Sequence, residues 1–177
     1  MDKIALSGAY VNFHWENLGD IKVGRPNLGT EVPVVVYRVF EYAMYDVLAH
    51  RLGTDLAKEI IRSAGYKAGK EFAQHVLNLD RDVDTFLADL TETLLTLKIG
   101  VLRVEKLNRQ TGEIVLTIGE DLDCSGLPVT GEVVCHYDEG FLSGILEEYT
   151  HRKYDVREVD CWASGYKSCR FRGTPKI

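Results

Sequence analysis

The sequence predicts an α+β domain in which an antiparallel sheet of about four strands packs against a layer of helices. Apolar residues recur at helical spacing through most of residues 36–97. Short β-branched runs separated by turn residues dominate the second half of the chain. Strands that follow a run of helices and are joined by tight turns favour an antiparallel sheet with helices on one face. The predicted order is helix, helix, helix, strand, strand, helix, strand, strand.

Composition limits the classes of function. The chain has 177 residues, 45% of them hydrophobic, which is enough for one domain of ordinary size or one domain with an appendage. Its net charge of −6 and scattered basic residues argue against a nucleic-acid binder. We find no apolar run long enough for a membrane span and no signal-peptide pattern in residues 1–8. We therefore expect a cytoplasmic protein with reduced thiols.

Residues 1–30 are predicted to form an N-terminal arm that precedes a single domain at residues 31–177. Glycines and polar residues punctuate the arm as a loop, and three aromatic residues, Tyr10, Phe13 and Trp15, lie within it. Two interpretations of these rings remain open. They pack the arm onto the domain or a partner subunit, or they form a lid over a ligand pocket.

Three helices are predicted before the sheet. The first begins between Thr30 and Pro33 and ends at Gly53, and Thr54 is a good N-cap for the second. The third follows Asp80 or Asp82. The second helix carries an apolar residue at every fourth position, with a row of small residues beside it: Ala57, Ile61, Gly65, Gly69 and Ala73. Small residues let another element approach closely, or they leave room for a ligand.

The remaining elements follow from turn chemistry and apolar spacing. Residues 101–105 and 114–118 predict a hairpin around the turn at residues 108–112. A helix then runs from Cys135 towards Tyr149, and two strands near residues 154–159 and 169–172 close the chain. Two acidic groups are expected to be solvated, one in a loop and one on the last helix: Glu120, Asp121 and Asp123; Asp138, Glu139, Glu147 and Glu148.

The chemistry of the chain is concentrated between residues 134 and 171. Cys135, Cys161 and Cys169 lie in this stretch, and Glu158 stands three residues before Cys161. Thiolates suit zinc, and a carboxylate can complete a tetrahedron. The spacing is not that of a common zinc finger, so buried free cysteines and a disulfide stay open as alternatives. Cys124 lies outside this pattern and is expected to be a loop or core cysteine.

The same stretch resembles the 4-vinyl reductase domain family, with the close match at residues 112–173. The resemblance is carried by Cys135-His136-Tyr137, the GFLSG segment at 140–144, the EVDCWASG segment at 158–165 and Cys169-Arg170-Phe171. In the related aromatic-sensing domains of bacterial activators, a zinc sits on Cys, Glu, Cys and Cys. The resemblance therefore implies one structural zinc on Cys135, Glu158, Cys161 and Cys169. The family fold is also similar to that of small subunits of vesicle-tethering complexes.

Three functions are compatible with this resemblance. The first is a domain that binds or senses a hydrophobic or aromatic small molecule and carries a structural zinc. The second is an interaction or assembly subunit, and the third is a tetrapyrrole vinyl reductase or its accessory. No nicotinamide-binding fingerprint follows a predicted strand, so the balance is against an enzyme without excluding one.

A ligand pocket is expected between the helical layer and the sheet, with the same residues forming an ordinary core as the alternative. Its predicted walls are Gly65, Gly69, Phe72, Phe86, Leu90, Ile114, Phe141 and Ile145. Phe86 and Ile114 fall where the sensor relatives carry a histidine and a tryptophan, which favours a more apolar ligand than a phenol. We also expect a homodimer, because the long apolar helix over residues 33–52 and the aromatic arm with Tyr10, Phe13 and Trp15 together carry more apolar surface than one modest sheet can cover.

Overall fold

A computed structural model describes residues 13–176 and confirms the α+β class. The described elements are α1 (Ile21–Gly24), α2 (Val34–Leu52), α3 (Thr54–Val76), α4 (Val83–Thr96), β1 (Val101–Leu107), β2 (Ile114–Gly119), α5 (His136–Thr150), β3 (Tyr154–Asp160) and β4 (Cys169–Pro175). The four strands form one antiparallel sheet in the order β1-β2-β4-β3. The described residues fall into two compact units, which divide between Glu31 and Val32.

The first unit contains two short helical segments where the sequence predicted a loop. A 3-10 turn spans Trp15–Leu18, and α1 begins after Asp20, whose side chain accepts a hydrogen bond from the Val23 amide. Tyr10 lies outside the described residues. The roles predicted for the aromatic arm remain predictions.

The helix boundaries follow the local signals in the sequence. Helix α2 begins directly after Pro33, and Gly53 separates it from α3 with a φ of 87°, a conformation that glycine adopts at little cost. Asp82 caps α4 by accepting the amides of Asp84 and Thr85. Two helix starts and one helix end were therefore predictable from single residues.

Helices α3 and α5 cross at very short range through glycines on both helices. An added Cβ at Gly65 or Gly69 would overlap backbone atoms of α5, and one at Gly140 or Gly144 would overlap backbone atoms of α3. The predicted row of small residues on α3 is therefore the buried face of that helix, whereas the apolar Leu56 at the helix start is 47% exposed. Close backbone approach is the reason for the glycines.

Helix α5 is the central helix of the domain. Nearly every residue from His136 to Leu146 is buried, because α3 packs on one side of the helix and β3 lies against another. Asp138 and Glu139 are only 5% and 3% exposed, so the prediction of a fully solvated acidic face on this helix is wrong for these two residues.

Helix α2 is held differently. None of its residues is buried. Among the described helices and strands, α3 is the one element with which α2 makes extensive contact. Three polar side chains tie it to the loop after β2. Tyr37 donates to the Asp123 carboxylate at 2.9 Å, Tyr42 donates to the Asp123 carbonyl at 3.1 Å, and Arg38 donates to the Leu122 carbonyl at 2.7 Å. A row of apolar side chains on α2 remains exposed.

The sheet has one apolar and one charged face. Residues Ile114, Leu116 and Ile118 of β2 are at most 2% exposed. On the other face, Arg170 pairs with Glu105 at 2.8 Å, and Arg172 pairs with Glu113 at 2.7 Å. The β1–β2 turn has Gly112 at a φ of 81°, as the predicted turn requires. No helix among the described residues is long and apolar enough to cross a membrane.

The glycine crossing generates a stability prediction. Gly144→Ala should lower the free energy of unfolding by about 1–3 kcal/mol, because the new methyl group meets the Tyr66 carbonyl and the backbone of α3 cannot move away freely. Gly119→Ala is the matched control, since a Cβ there has no neighbour within 4 Å. Urea denaturation of both variants measures the difference. Equal stabilities would contradict close packing as the reason for glycine in α5.

Candidate metal centre

Four buried cysteines meet where the N-terminus of α5 reaches the sheet. Cys124 lies in the loop after β2, Cys135 immediately precedes α5, Cys161 follows β3, and Cys169 begins β4. All four are free and fully buried. Cys124, which the sequence analysis placed outside the pattern, is therefore the fourth member of the cluster. The spacing of Cys124 to the other cysteines did not predict this position, because the long loop between β2 and α5 places Cys124 in the cluster.

The sulfur geometry suits a tetrahedral ion. Sγ–Sγ distances are 3.7 Å between Cys135 and Cys169, 3.8 Å between Cys124 and Cys161, and 3.9 Å between Cys135 and Cys161. A tetrahedron of thiolates at a zinc–sulfur distance of about 2.3 Å has edges of about 3.8 Å. The Cys124–Cys169 edge is shorter, at 3.0 Å. Four sulfurs in this arrangement could hold a metal ion.

Two loops hold the cysteines in place through main-chain and indole hydrogen bonds. Trp162 Nε1 donates to the Leu127 carbonyl at 3.0 Å, and the amides of Thr130 and Gly131 both donate to the Ala163 carbonyl. Ser164 Oγ accepts the Cys161 amide at 3.0 Å. The loop that carries Cys124 and the loop between Cys161 and Cys169 are thereby joined into one rim.

Glu158 lies at the edge of the sulfur cluster. Its Oε2 accepts the amide of Cys135 at 3.0 Å, whereas its buried Oε1 has no hydrogen-bond partner. Burial raises the pKa of this carboxyl to about 8. Glu158 is thus close enough to support the centre, but Cys124 provides the fourth sulfur. The ligand set that includes Glu158 stays a prediction.

The thiols cannot all ionise without a cation. Contact with the sulfur of Cys124 is the largest cause that raises the pKa of Cys135 and of Cys169, and it is also the largest cause that lowers the pKa of Cys161. A zinc ion bound by the four sulfurs would displace their protons and balance the charge.

Glu139 anchors the N-terminal half of α5 to its neighbours. Its Oε2 accepts from Arg62 Nε at 2.7 Å and lies 3.4 Å from His136 Nδ1, and its Oε1 accepts the amide of Glu158 at 2.9 Å. Burial opposes ionisation, but these partners lower the pKa of Glu139. His136 is engaged in this network through its ring nitrogen Nδ1.

A second group of carboxyls lies directly beside the cysteines. Asp121, Asp123 and Asp138 are each at most 5% exposed, and the half-buried Glu41 of α2 joins them. Burial raises the pKa of Asp123 to about 7 and that of Glu41 to about 8. The expectation of a solvated acidic loop is therefore wrong for Asp121 and Asp123. The sequence could not show that this loop folds inward under α2.

An apolar cleft of about 130 Å³ opens between α2, α3 and the segment before Cys135. Its walls are aromatic and aliphatic, with acidic, basic and imidazole groups among them: Tyr42, Tyr45, Ile61, Val133 and Val134; Glu41, Lys58, Glu132 and His136. None of the eight residues predicted to bind a ligand lines this cleft.

The residues predicted as pocket walls lie in core positions, and their predicted role in ligand binding stays a prediction. Phe72 packs against Phe141 with ring centroids 5.1 Å apart, and Phe86 stacks on Tyr149 at 3.8 Å. Leu90 and Ile145 are completely buried, and Ile114 is 2% exposed. Gly65 and Gly69 contact the backbone of α5, so no ligand fits at these two positions. For the glycines the packing alternative holds.

Comparison with known proteins identifies the family. The model of the 4-vinyl reductase domain matches residues 114–175, which include the hairpin's second strand, α5 and all four clustered cysteines. The chain is 30% identical over 144 residues to the uncharacterized protein MJ1642 of Methanocaldococcus jannaschii, and the match covers 81% of this chain and 78% of that protein. The chain belongs to the 4-vinyl reductase domain family. The resemblance predicted from the sequence is confirmed.

Two solved structures share the fold. The phenol-responsive sensory domain of the transcription activator PoxR, with phenol, superposes with a TM-score of 0.62 at 14% identity and covers 83% of this chain and 76% of its own. A trafficking protein particle complex subunit 3 from Naegleria fowleri, covalently bound to palmitic acid, gives a TM-score of 0.64 at 11% identity, with coverages of 81% and 95%. At these identities the likeness shows the fold alone.

The sulfur geometry generates a prediction about the fourth ligand. Cys124→Ser should weaken zinc binding by about tenfold or more, because a neutral hydroxyl replaces one of the charged thiolates that hold the ion. Glu158→Gln should weaken it less, because an amide retains the hydrogen bond to the Cys135 amide. Competition with a chromophoric chelator measures both affinities. A larger loss in Glu158→Gln than in Cys124→Ser would assign the fourth position to the carboxylate.

Proposed function

We propose that this domain binds or senses a small apolar molecule and that a structural zinc fixes the frame of its site. Membership of the 4-vinyl reductase domain family supports this proposal, as do folds shared with a phenol-responsive domain and with a palmitate-bound subunit. The observation that carries it is the cleft between α2 and α3, which combines apolar walls with a few polar groups, the usual character of a ligand site.

The zinc in this proposal is held by Cys124, Cys135, Cys161 and Cys169. Four thiolates leave no open position, so the ion stabilises structure and performs no chemistry on a substrate. It joins the loop after β2, the start of α5 and the two last strands at one point. Because Val133 and Val134 lie immediately before Cys135 and line the cleft, the metal also sets one wall of the ligand site.

The size of the cleft limits the ligand. An apolar cavity of about 150 Å³ accepts benzene, so about 130 Å³ suits one aromatic ring or a short branched chain. Tyr42, Tyr45 and Ile61 supply flat and aliphatic contacts. Lys58 and His136 are the nearest basic groups in the lining and would orient a polar substituent. The pocket differs in place from the one predicted in the sequence analysis, but the class of ligand is the same.

Sensing would use the weak attachment of α2. The helix forms one wall of the cleft, contains no buried residue and is tied to the loop after β2 by hydrogen bonds from Tyr37, Arg38 and Tyr42. Tyr42 takes part both in this attachment and in the cleft lining. A ligand that contacts Tyr42 would therefore change the equilibrium between attached and displaced positions of α2.

Filling the cleft tests ligand binding. Ile61→Trp should abolish the stabilisation of the protein by toluene and by phenol, because the indole occupies the space, and the partly exposed position of Ile61 should allow the variant to fold. Leu95→Trp on α4 is the control, since Leu95 is 56% exposed and lies outside the cleft. Thermal unfolding at increasing ligand concentration is the measurement. Equal increases in the unfolding temperature of both variants would place binding elsewhere. An unchanged unfolding temperature of the native chain with both toluene and phenol would exclude these two molecules as ligands.

The exposed side of α2 favours a second proposal, a homodimer formed through this helix. Val35, Val39, Phe40, Met44 and Val47 are between 42% and 66% exposed on one helix. Such a concentration of exposed apolar side chains is typical of an interface. The stretch Val34–Val36 has no charged residue, which suits contact between two copies of a chain whose net charge is −6. This surface also serves the alternative of an assembly subunit.

Introducing a charge on this surface tests the dimer. Phe40→Lys should convert a dimer into a monomer, because two lysines would be buried against an apolar surface without partners. Leu95→Lys carries the same charge change on α4 and should leave the mass unchanged. Light scattering at micromolar concentration gives the mass of each variant. A native chain with the mass of one copy would contradict the homodimer, and the exposed surface of α2 would then be a candidate site for a different partner.

The third interpretation, a tetrapyrrole vinyl reductase, is not favoured. The features that the described residues bring together are a thiol cluster of structural character, a carboxyl group and a cleft sized for one ring. A tetrapyrrole is several times larger than this cleft. Binding of a small apolar molecule accounts for the site without a redox step.

A further inference from the structure

The carboxyls beneath α2 form a connected row that ends at the cysteine cluster. Asp138 contacts the carboxyls of Asp121 and Asp123, and Asp123 in turn contacts Glu41. One oxygen each of Asp121 and Asp138 and the sulfur of Cys135 lie within 4.8 Å of one another. Two ligands of one ion are separated by at most about twice the bond length, or roughly 4–5 Å for oxygen and sulfur donors.

Several oxygens in this row are buried without partners. Oδ2 of Asp123 and Oδ2 of Asp138 accept no hydrogen bond, although these residues are only 3% and 5% exposed. Oε2 of Glu41 and Oγ of Ser125 are also buried and without a partner. A buried acceptor without a partner costs about 1–3 kcal/mol, and more when charged. The three carboxyl oxygens can be satisfied by protons shared along the row or by a positively charged group, and the sulfur of Cys135 beside Asp121 and Asp138 favours a metal ion.

Arg38 is the cation that the structure describes beside this row, and its guanidinium already has hydrogen-bond partners. Arg38 donates to the carbonyls of Asp121, Leu122 and Ser125 at distances between 2.7 and 3.2 Å, so its guanidinium binds the loop backbone. The hydroxyl of Tyr37 partners Oδ1 of Asp123 and leaves Oδ2 free. Buried carboxylates are normally paired or bound to metal.

We infer that Asp121, Asp138 and the sulfur of Cys135 bind a second divalent transition-metal ion, with Asp123 and Glu41 supplying further oxygens. The mixture of carboxylate oxygens with one thiolate suits Zn²⁺, Fe²⁺ or Mn²⁺ better than a purely oxygen-binding ion. Cys135 then bridges the two ions, so the second site rests on occupancy of the thiol cluster.

The position of this site gives an ion two routes of entry and a structural role. Glu41 lines the cleft between α2 and α3, and Asp121 and Ser125 line a second cleft beside Arg38. An ion here would connect Glu41 of α2, the loop after β2 and α5. Because α2 has no buried residue of its own, the ion would be a main determinant of its attachment.

Counting ions in metal-depleted protein that has been reloaded tests this inference. With saturating Zn²⁺ followed by gel filtration, the unsubstituted chain of 177 residues should retain two ions per chain by elemental analysis and by native mass spectrometry. Asp138→Asn and Asp121→Asn should each retain one, because an amide binds divalent ions weakly. Asp155→Asn on β3 is the matched control and should retain two. Co²⁺ loading should show the intense thiolate charge-transfer bands of the first site in all four proteins.

The possible stoichiometries separate the two sites. One ion in the native chain with thiolate bands would overturn the second site and leave the zinc of the thiol cluster standing, whereas no ion would overturn both. Two ions in Asp138→Asn and Asp121→Asn would place the second ion elsewhere and also overturn the inference. If either variant fails to fold, Glu41→Gln should lower the affinity for the second ion at least tenfold and leave the first unchanged. An unchanged second affinity there would remove Glu41 as a ligand.

Amide hydrogen exchange gives an independent readout. Adding the second equivalent of Zn²⁺ should slow exchange in α2 at least tenfold in the native chain and in Asp155→Asn, but not in Asp138→Asn. Slowing confined to the loops of the thiol cluster would contradict the proposed link to α2.

Discussion

The close crossing of α3 and α5 is the constraint on which the rest of the structure depends. Gly65 and Gly69 meet α5 while Gly140 and Gly144 meet α3, and no side chain separates the two backbones. This contact fixes α5 in the centre of the domain, with β3 against another of its sides. The N-terminus of α5 is then held at the end of the sheet, where Cys135 meets the sulfurs of Cys161 and Cys169.

A central helix must satisfy the polar groups that it carries. Glu139 does so with Arg62, His136 and the amide of Glu158, which makes a complete network. Asp138, one residue earlier, faces other carboxyls and has an oxygen without a partner. These two adjacent acidic residues of one helix therefore differ. Glu139 is satisfied by its partners, whereas Asp138 depends on shared protons or on the proposed second ion.

The attachment of α2 joins the cysteine cluster to the cleft between α2 and α3. Its polar side chains bind the loop that carries Cys124, and its aromatic residues line the cleft together with Val133 and Val134. Metal binding would order this loop, and the ordered loop would hold α2 over the cleft. The same helix exposes an apolar surface, so a change in its position would be transmitted to a second subunit bound there.

The sequence by itself determined the fold class, the order of the elements from α2 onwards and several helix boundaries, because capping residues, glycines and apolar spacing act over a few neighbouring positions. It also identified the stretch with Cys135, Cys161 and Cys169 through family motifs. The tertiary structure decided what lies beside them. Cys124 and Asp121 belong to a long loop whose course depends on contacts with α2, and no local pattern encodes such contacts. The small-residue row on α3 was compatible with close helix packing or with a cavity, because both arrangements need small side chains. The structure shows the backbone of α5 against Gly65 and Gly69, which is close packing at these two positions.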